Sequence, residues 1–358
     1  MENKVAIVTI FDQTNFGNRL QNYAVSKCME KLGFKPETIV IKQEKSLKTR
    51  MFAVIKKTCS KVFPNYVKKK YPYWLRYEKF SDFTKKYIYT RYIKSKDGTF
   101  MQNLSDKYKY FVIGSDQVWN PNFYNDDKQL HNMFLLFTDS QKKICFSPSI
   151  GISEIPDEWK EKFTRALRTF PQLNVREKSG AQIISNLIQK EAQVLIDPTL
   201  MLDSDEWLSV AEVAPINTEK YVLEYFLGET DERVEQIITS TVGQNVKRVR
   251  VLDPNDVEAY VSGPSQFINM IRRASLVCTD SFHACVFSII FDVPFIIMRR
   301  KDANADMYTR IDSLLSLFEV ENIAGNPIVI DKNKKILILK RERERVSEYL
   351  KKCVGGLN

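Results

Sequence analysis

Apolar residues along this chain alternate between short unbroken runs and longer stretches of helical period, starting almost at the first residue. Lys4-Val5-Ala6-Ile7-Val8-Thr9-Ile10 is continuous and rich in β-branched residues, which predicts a strand covered on both faces in a parallel sheet. A polar turn from Phe11 to Asn18 follows. A helical pattern at Leu20, Tyr23, Ala24, Cys28, Met29 and Leu32 then runs to Gly33, a residue suited to a helix C-cap. Strand character resumes over 37–41. This βαβ start puts backbone N–H groups of the first turn at the carboxyl edge of a sheet, where open α/β folds bind ligands. A single Gly17 is no G-x-G-x-x-G fingerprint, so no nicotinamide cofactor is inferred.

The alternation continues. Strands are predicted over 110–113, 143–147, 173–176 and 194–196, with helices over 157–169 and 178–189. The first of these strands ends in Gly114-Ser115-Asp116-Gln117-Val118-Trp119-Asn120-Pro121, a small and polar run of the kind that builds sites. Asp197-Pro198-Thr199 breaks the pattern and places a domain boundary near residue 200. A second alternation follows: strands over 221–225, 247–252, 276–279 and 294–298, and helices over 231–241, 265–274 and 284–291. A basic and acidic helix over 332–352, ended by Gly355-Gly356, completes the chain. The expectation is an α/β protein of two Rossmann-like domains facing a cleft, residues 1–200 and 201–358. Neither short repeats nor low-complexity linkers occur.

A length of 358 residues with 44% hydrophobic content agrees with two domains. The six cysteines include no C-x-x-C pair, which argues against a disulfide framework and a structural zinc site. The longest apolar stretch, 275–298, contains Asp280, His283, Asp292 and Pro294, so it does not read as a membrane span. The first residues lack the regions of a signal peptide, which predicts a cytoplasmic protein. Charge is concentrated: residues 41–100 hold 17 lysines and arginines against Glu44, Glu78, Asp82 and Asp97, within a chain of net charge +10. Phe63, Tyr66, Tyr71, Tyr73, Trp74, Tyr77, Phe80 and Phe83 are interleaved with these bases. Such a segment suits an anionic membrane surface, a nucleic-acid backbone or a carbohydrate, and it also suits a solvated helical face over a buried aromatic stripe. No nucleic-acid-binding motif accompanies it, and no nucleic-acid partner is expected.

Candidate chemistry centres on one of only two histidines. His283 lies in Thr279-Asp280-Ser281-Phe282-His283-Ala284 between two apolar stretches, where an imidazole can exchange a proton near neutral pH or serve as a satisfied core residue. His131 reads as a surface loop residue. With no carboxylates at ligand spacing, no metal is expected. Asp116 can activate or orient a hydroxyl, or cap its turn. Trp119 can stack on a sugar face, or belong to the core.

Several segments, in order and across nearly the whole chain, resemble the polysaccharide pyruvyl transferase family: Asn15-Phe16-Gly17-Asn18-x-x-Gln21, Gly114-Ser115-Asp116-Gln117-Val118-Trp119-Asn120-Pro121, Val175-Arg176-Glu177-x-Ser179, Asp197-Pro198-Thr199 and Thr279-Asp280-Ser281-Phe282-His283. The resemblance implies a GT-B-like pair of Rossmann domains. It also implies transfer of the enolpyruvyl unit of phosphoenolpyruvate onto a sugar of a surface polysaccharide, such as a capsule or exopolysaccharide, as a ketal. Phosphoenolpyruvate would be a co-substrate, and no further cofactor is implied.

Carried onto this chain, the family's histidine is His283, read as the general acid, and Asp116 is the candidate to activate or orient the acceptor hydroxyl. The donor-associated arginine is Arg176, and the glycine of the first turn is Gly17. Further donor contacts are expected from Ser281, Thr279, Phe282, and the helix start at Gly263 and Ser265. Acceptor contacts are expected from Asn15, Gly17, Asn18, Gln21, Ser115 and Trp119. Ser281 departs from the many members with arginine two residues before the histidine. The basic segment would rest on the inner face of the cell membrane, where lipid-linked acceptors are held. Two rival readings share these features: a GT-B-type glycosyltransferase using a nucleotide sugar, and a non-catalytic glycan- or membrane-surface-binding protein.

Overall fold

A computed structural model describes residues 3–42, 47–95, 98–100, 102–212, 220–229, 232–243, 245–298 and 308–355. Asp231 and Gly356, predicted as ends of helices, lie outside these residues, as does part of the basic segment. Strand β1 (Lys4–Val8) leads through helix α1 (Phe16–Lys31) to β2 (Lys35–Ile41). The basic segment then forms three helices, α2 (Leu47–Val62), α3 (Pro64–Lys70) and α4 (Pro72–Tyr87), before β3 (Thr90–Ile93). Next come β4 (Tyr110–Ile113), α5 (Asp127–Met133), β5 (Lys143–Cys145) and α6 (Asp157–Leu167). Strands β6 (Asn174–Val175) and β7 (Gln193–Val194) flank α7 (Lys178–Ile188), and α8 (Ser204–Leu208) ends the first half.

The second half contains β8 (Tyr221–Tyr225), α9 (Glu232–Val242), β9 (Lys247–Arg250), α10 (Val257–Tyr260), α11 (Pro264–Arg273), β10 (Leu276–Thr279), α12 (Phe282–Ile290) and β11 (Phe295–Ile297). Helices α13 (Thr309–Leu317) and α14 (Lys332–Gly355) follow.

Two sheets result, both wholly parallel: β3-β2-β1-β4-β5 in the first half and β11-β10-β8-β9 in the second. Each grows in both directions from its first strand. That gives two Rossmann-like halves, each with a switch point where successive loops leave to opposite sides. Strands β6 and β7 form a separate parallel pair joined to β5 through a side chain: the Asn174 amide donates to the Cys145 carbonyl at 3.0 Å and accepts the Ser147 N–H at 2.7 Å.

The largest apolar core is common to both halves, running from Val5 and Ile7 through α1 to Tyr225, Phe267 and α12. At its centre Phe16 stacks on Phe267 with centroids 4.2 Å apart. The halves therefore meet through packed aromatics. Helix α14, which the sequence assigns to residues 201–358, crosses back to the first half. Arg343 donates to the carbonyls of Leu200 and Leu202 at 2.8 and 2.9 Å, and the Tyr110 hydroxyl donates to the Val354 carbonyl at 2.8 Å. Among the described residues no helix is long and apolar enough to cross a membrane. All six cysteines are unpaired.

Candidate active site at the facing switch points

In the first sheet the switch point lies between β1 and β4, and the loops that follow these strands meet there. Asp12 holds the first loop by accepting the N–H groups of Thr14 and Asn15 at 2.6 and 3.1 Å. Asn15 caps α1 by accepting the Asn18 N–H at 3.0 Å. Asn18 accepts the Asp12 N–H at 3.0 Å and donates from Nδ2 to Asp116 Oδ2, 3.3 Å away in the second loop. Asp116 sits at φ +73°, a left-handed conformation that aspartate tolerates better than most residues. Phe11, Asp12, Asn15, Asn18, Asp116 and Tyr124 line a pocket of about 390 Å³ here. Its floor is stiffened by buried Arg19, whose guanidinium lies 4.0 Å over the Phe11 ring and donates to the Asp12 carbonyl at 2.6 Å. Burial lowers the Arg19 pKa to about 10.

The second sheet's switch point lies between β8 and β10. The Asp280 carboxylate accepts the N–H groups of Leu227 and Gly228 at 2.8 and 3.1 Å, which ties the loop after β8 to the start of α12. Ser281 is the N-cap of α12 and makes no side-chain cap. His283 follows within the first turn and is 7% exposed. Its ring lies directly over Gly17: a Cβ built on Gly17 would fall 2.0 Å from Nδ1 and 2.4 Å from Cγ. Only glycine lets the two helix starts approach this closely. Gly17→Ala must push the rigid, buried ring aside by about 1 Å or more, a displacement that costs about 10²-fold in turnover when the ring is the reacting group. Steady-state kinetics beside a melting curve checks this, with kcat falling far more than the stability.

Between the switch points stands Asp197, fully buried. Pairing of Val175 with Val194 brings Arg176 and Asp197 together across 21 positions of sequence. Arg176 Nη1 donates to Asp197 Oδ2 at 2.6 Å, and the same oxygen lies 2.9 Å from Ser115 Oγ and 3.7 Å from His283 Nε2. Thr199 supplies its N–H and hydroxyl to Oδ1 at 2.9 and 2.6 Å. Burial would raise the Asp197 pKa, but His283, Arg176 and Thr199 around it hold the carboxyl well below the usual carboxylate range. Burial likewise opposes the charge on Arg176, yet Asp197 and Glu177 hold its guanidinium above the ordinary value.

The Arg176 guanidinium lies 4.3 Å over the Phe282 ring, and its Nε and Nη2 atoms are buried without a hydrogen-bond partner. Arg176, Asp197 and Phe282 form one wall of a cavity of about 350 Å³, with Lys178, Arg310 and Arg345 on the others. Residues beside His283 reach two separate spaces. Its chain neighbour Phe282 and its partner Asp197 line the basic cavity, while Asn15 and Asn18, on either side of Gly17 beneath its ring, line the polar pocket.

The predicted residues Asn15, Gly17, Asn18, Asp116, Arg176, Ser281, Phe282 and His283 are therefore brought together, and several others hold different places. Trp119 is fully buried, stacked on Phe134 at 5.0 Å, with its indole N–H given to the Met133 carbonyl at 3.0 Å, so it belongs to the core and offers no face to a sugar. Gln21 is buried behind the pocket and donates to Thr9 Oγ1 at 2.8 Å, which makes it a support for the loop. Ser115 is buried against Asp197 and the Ser147 carbonyl and positions the carboxylate. The Thr279 hydroxyl donates to the Tyr225 carbonyl at 2.6 Å and is occupied within the fold.

Gly263 and Ser265 begin α11 against α4. A Cβ on Gly263 would meet Lys79 at 2.7 Å, and the adjacent Ser262 and Gln266 line a different pocket. His131 lies in α5, with a ring nitrogen 3.3 Å from the Phe100 carbonyl. The residue that sequence reasoning missed is Asp197. Asp197-Pro198-Thr199 was visible, but reading it as a chain break hid its carboxylate. Glu177 was missed likewise; it is buried and accepts the N–H groups of Ile150 and Gly151 at 2.7 and 3.1 Å. Among the described residues no three His, Cys, Asp or Glu side chains are grouped to hold a metal.

Solved structures similar in fold include a glycosyltransferase from Rickettsia africae (9% identity, TM-score 0.47, covering 97% of this chain and 94% of that one). The UDP-GlcNAc 2-epimerase of Methanocaldococcus jannaschii is 11% identical, with a TM-score of 0.47 over 97% of this chain and 99% of its own. The Neisseria meningitidis enzyme of the same name, bound to UDP-GlcNAc, is 12% identical, with a TM-score of 0.45 over 98% and 94%. No curated protein matches the sequence. The pattern of the polysaccharide pyruvyl transferase family matches residues 15–302, a span that runs from the cap of α1 through both switch points, Asp197 and His283, and the chain belongs to this transferase family.

Proposed function

We propose that this protein transfers the enolpyruvyl unit of phosphoenolpyruvate to two hydroxyls of one sugar in a surface polysaccharide or its lipid-linked precursor, with His283 as general acid. The observation that carries the reading is the cluster in which His283, packed on Gly17, meets Asp197 and through it Arg176, with Arg176 and Asp197 lining one cavity and Asn15, Asn18 and Asp116 another. Phosphoenolpyruvate is small and highly anionic and fits the basic cavity. The unpartnered Nε and Nη2 of Arg176 present a fork suited to carboxylate or phosphate. Ser281 supplies no cation where many members have arginine; Lys178 and Arg310 stand around the same cavity, together with Arg341 and Arg345, which Glu342 pairs, and with Glu319. Asp116, Asn15 and Asn18 suit the alternating donors and acceptors of a sugar diol.

In this reading imidazolium His283 gives its proton to the methylene carbon, forming a C–H bond and leaving cationic character on the carbon that bears the phosphate. The first sugar hydroxyl adds there, and its proton passes through Asp116 to restore His283. The second hydroxyl attacks the same carbon, the C–O bond to phosphate breaks, and the phosphate leaves with the second hydroxyl's proton. The products are a ketal and inorganic phosphate.

A melting-temperature titration with phosphoenolpyruvate beside a panel of nucleotide sugars tests the donor. A ligand at 100 times its Kd stabilises the native state by about 2.7 kcal/mol. Saturable stabilisation by phosphoenolpyruvate, weakened in Arg176→Lys, is expected. Stabilisation by a nucleotide sugar alone would replace the reading with glycosyl transfer, and silence from every donor with glycan binding that survives His283→Gln would replace it with a non-catalytic role.

A further inference from the structure

From Lys45 to Tyr77 the chain has ten lysines and arginines and no acid. Its first helix, α2, has no buried side chain among residues 51–52 and 54–62. Met51, Phe52, Val54 and Val62 are 60–65% exposed and Ile55 49%, and Phe63 and Tyr66 continue the apolar surface into α3 at 62% and 56%. Met51, Val54, Ile55 and Val62 stand at spacings of three, four and eleven, so they share one stripe of the helix, with Lys56, Lys57 and Lys61 around its polar remainder. From Met51 to Val62 this stripe runs for about 17 Å along the helix.

The body holds the unit from behind. Val67 of α3 and Phe80 and Phe83 of α4 are buried, Lys68 pairs with Glu258, and Arg76 donates to the carbonyls of Tyr260 and Thr14 at 3.1 and 2.9 Å. A surface helix usually turns its apolar face to the core. Here the anchored helices behind α2 face the core and α2 turns its own apolar stripe to solvent.

We propose that α2 and the start of α3 are a docking face for an anionic lipid bilayer. Exposed aliphatic side chains can enter the acyl boundary while the lysines meet the headgroups, the pattern of an interfacial helix. A second copy of the chain is disfavoured because face-to-face pairing would bring lysines against lysines. Nucleic acid would pair with the lysines and leave Met51, Val54 and Ile55 unused. Through Arg76 and Thr14 the docked unit connects to the loop that lines the polar pocket, so docking fixes the orientation of that pocket to the bilayer. This inference stands apart from the pyruvyl reading and can fail without it.

Flotation of the full chain with phosphatidylcholine vesicles, with and without phosphatidylglycerol, tests it. Binding is expected only with the anionic lipid and is weakened by salt. Phe52→Asp with Ile55→Asp weakens it about tenfold or more, as does Lys56→Glu with Lys57→Glu, and the melting temperature stays unchanged because these side chains are exposed. Absence of binding to phosphatidylglycerol vesicles overturns the proposal, as does binding that both double variants retain. Concentration-dependent self-association, or binding to a nucleic-acid duplex, that these variants abolish while vesicles remain unbound assigns the face to those partners instead.

Discussion

His283→Gln lowers the rate of phosphate release from phosphoenolpyruvate in the presence of acceptor by about 10²–10⁴-fold, the span covered by loss of a general acid. Its melting temperature stays within about 2 °C of the parent, since a change of less than 1 kcal/mol moves a protein of this size by no more than that. Both halves of this expectation come from geometry. Glutamine occupies a similar volume and keeps a polar end, but it cannot deliver a proton. The Asp197 carboxylate, which His283 Nε2 faces at 3.7 Å, keeps Arg176, Thr199 and Ser115 as partners in the variant. What the fold uses is the ring's bulk between Gly17 and Phe282, whose ring lies edge-on at 5.2 Å. A loss confined to kcat, with binding of phosphoenolpyruvate retained in the melting titration, fits a proton donor. Activity within tenfold of the parent would end the assignment. A large fall in melting temperature would show that the ring is structural.

The architecture was legible because it rests on local pattern. Unbroken β-branched runs such as 4–10 and 110–113 are what a strand buried on both faces requires, and each emerged as a central strand of a parallel sheet. The helices of 41–100 were not legible as three elements, because bases and aromatics alternate there without a period that separates one helix from the next. Prolines at 64 and 72 stand at the first turns of α3 and α4 and were the available signal.

The site was legible in its loops and opaque in its depth. Asn15, Gly17, Asn18 and Asp116 follow strands of the first sheet, where any open α/β fold places ligands. Whether Trp119 faces a sugar or the core depends on which side of a turn it leaves, and one residue's difference reverses the answer. The union of Arg176 with Asp197 depends on a two-residue strand pair too short to leave a periodic trace. Buried charge also looks the same in sequence as surface charge, so the residue with the most contacts in the site read as a chain break.

Asp197→Asn is the substitution with the largest expected effect on stability. Removing one partner of a buried ion pair costs about 3–5 kcal/mol because the other charge stays desolvated. Here the lower end, about 3 kcal/mol, is expected, since Glu177 remains 3.9 Å from Arg176 Nε. The asparagine can still accept from Thr199 and Ser115, so the loss reports the charge rather than the hydrogen bonds. Its pH dependence separates the two. The folded pKa of Asp197 lies far below the unfolded value of about 3.9, so the carboxylate's contribution is complete above the unfolded pKa and is lost as pH falls toward the folded one. The difference in melting temperature between parent and variant should therefore narrow below about pH 4. A difference that persists unchanged into acid would mean that Asp197 acts through shape and hydrogen bonding alone. In that case the ion pair with Arg176 would not be what holds the seam between the two switch points, and the unpartnered edge of that guanidinium would lose its claim to be a preset anion fork.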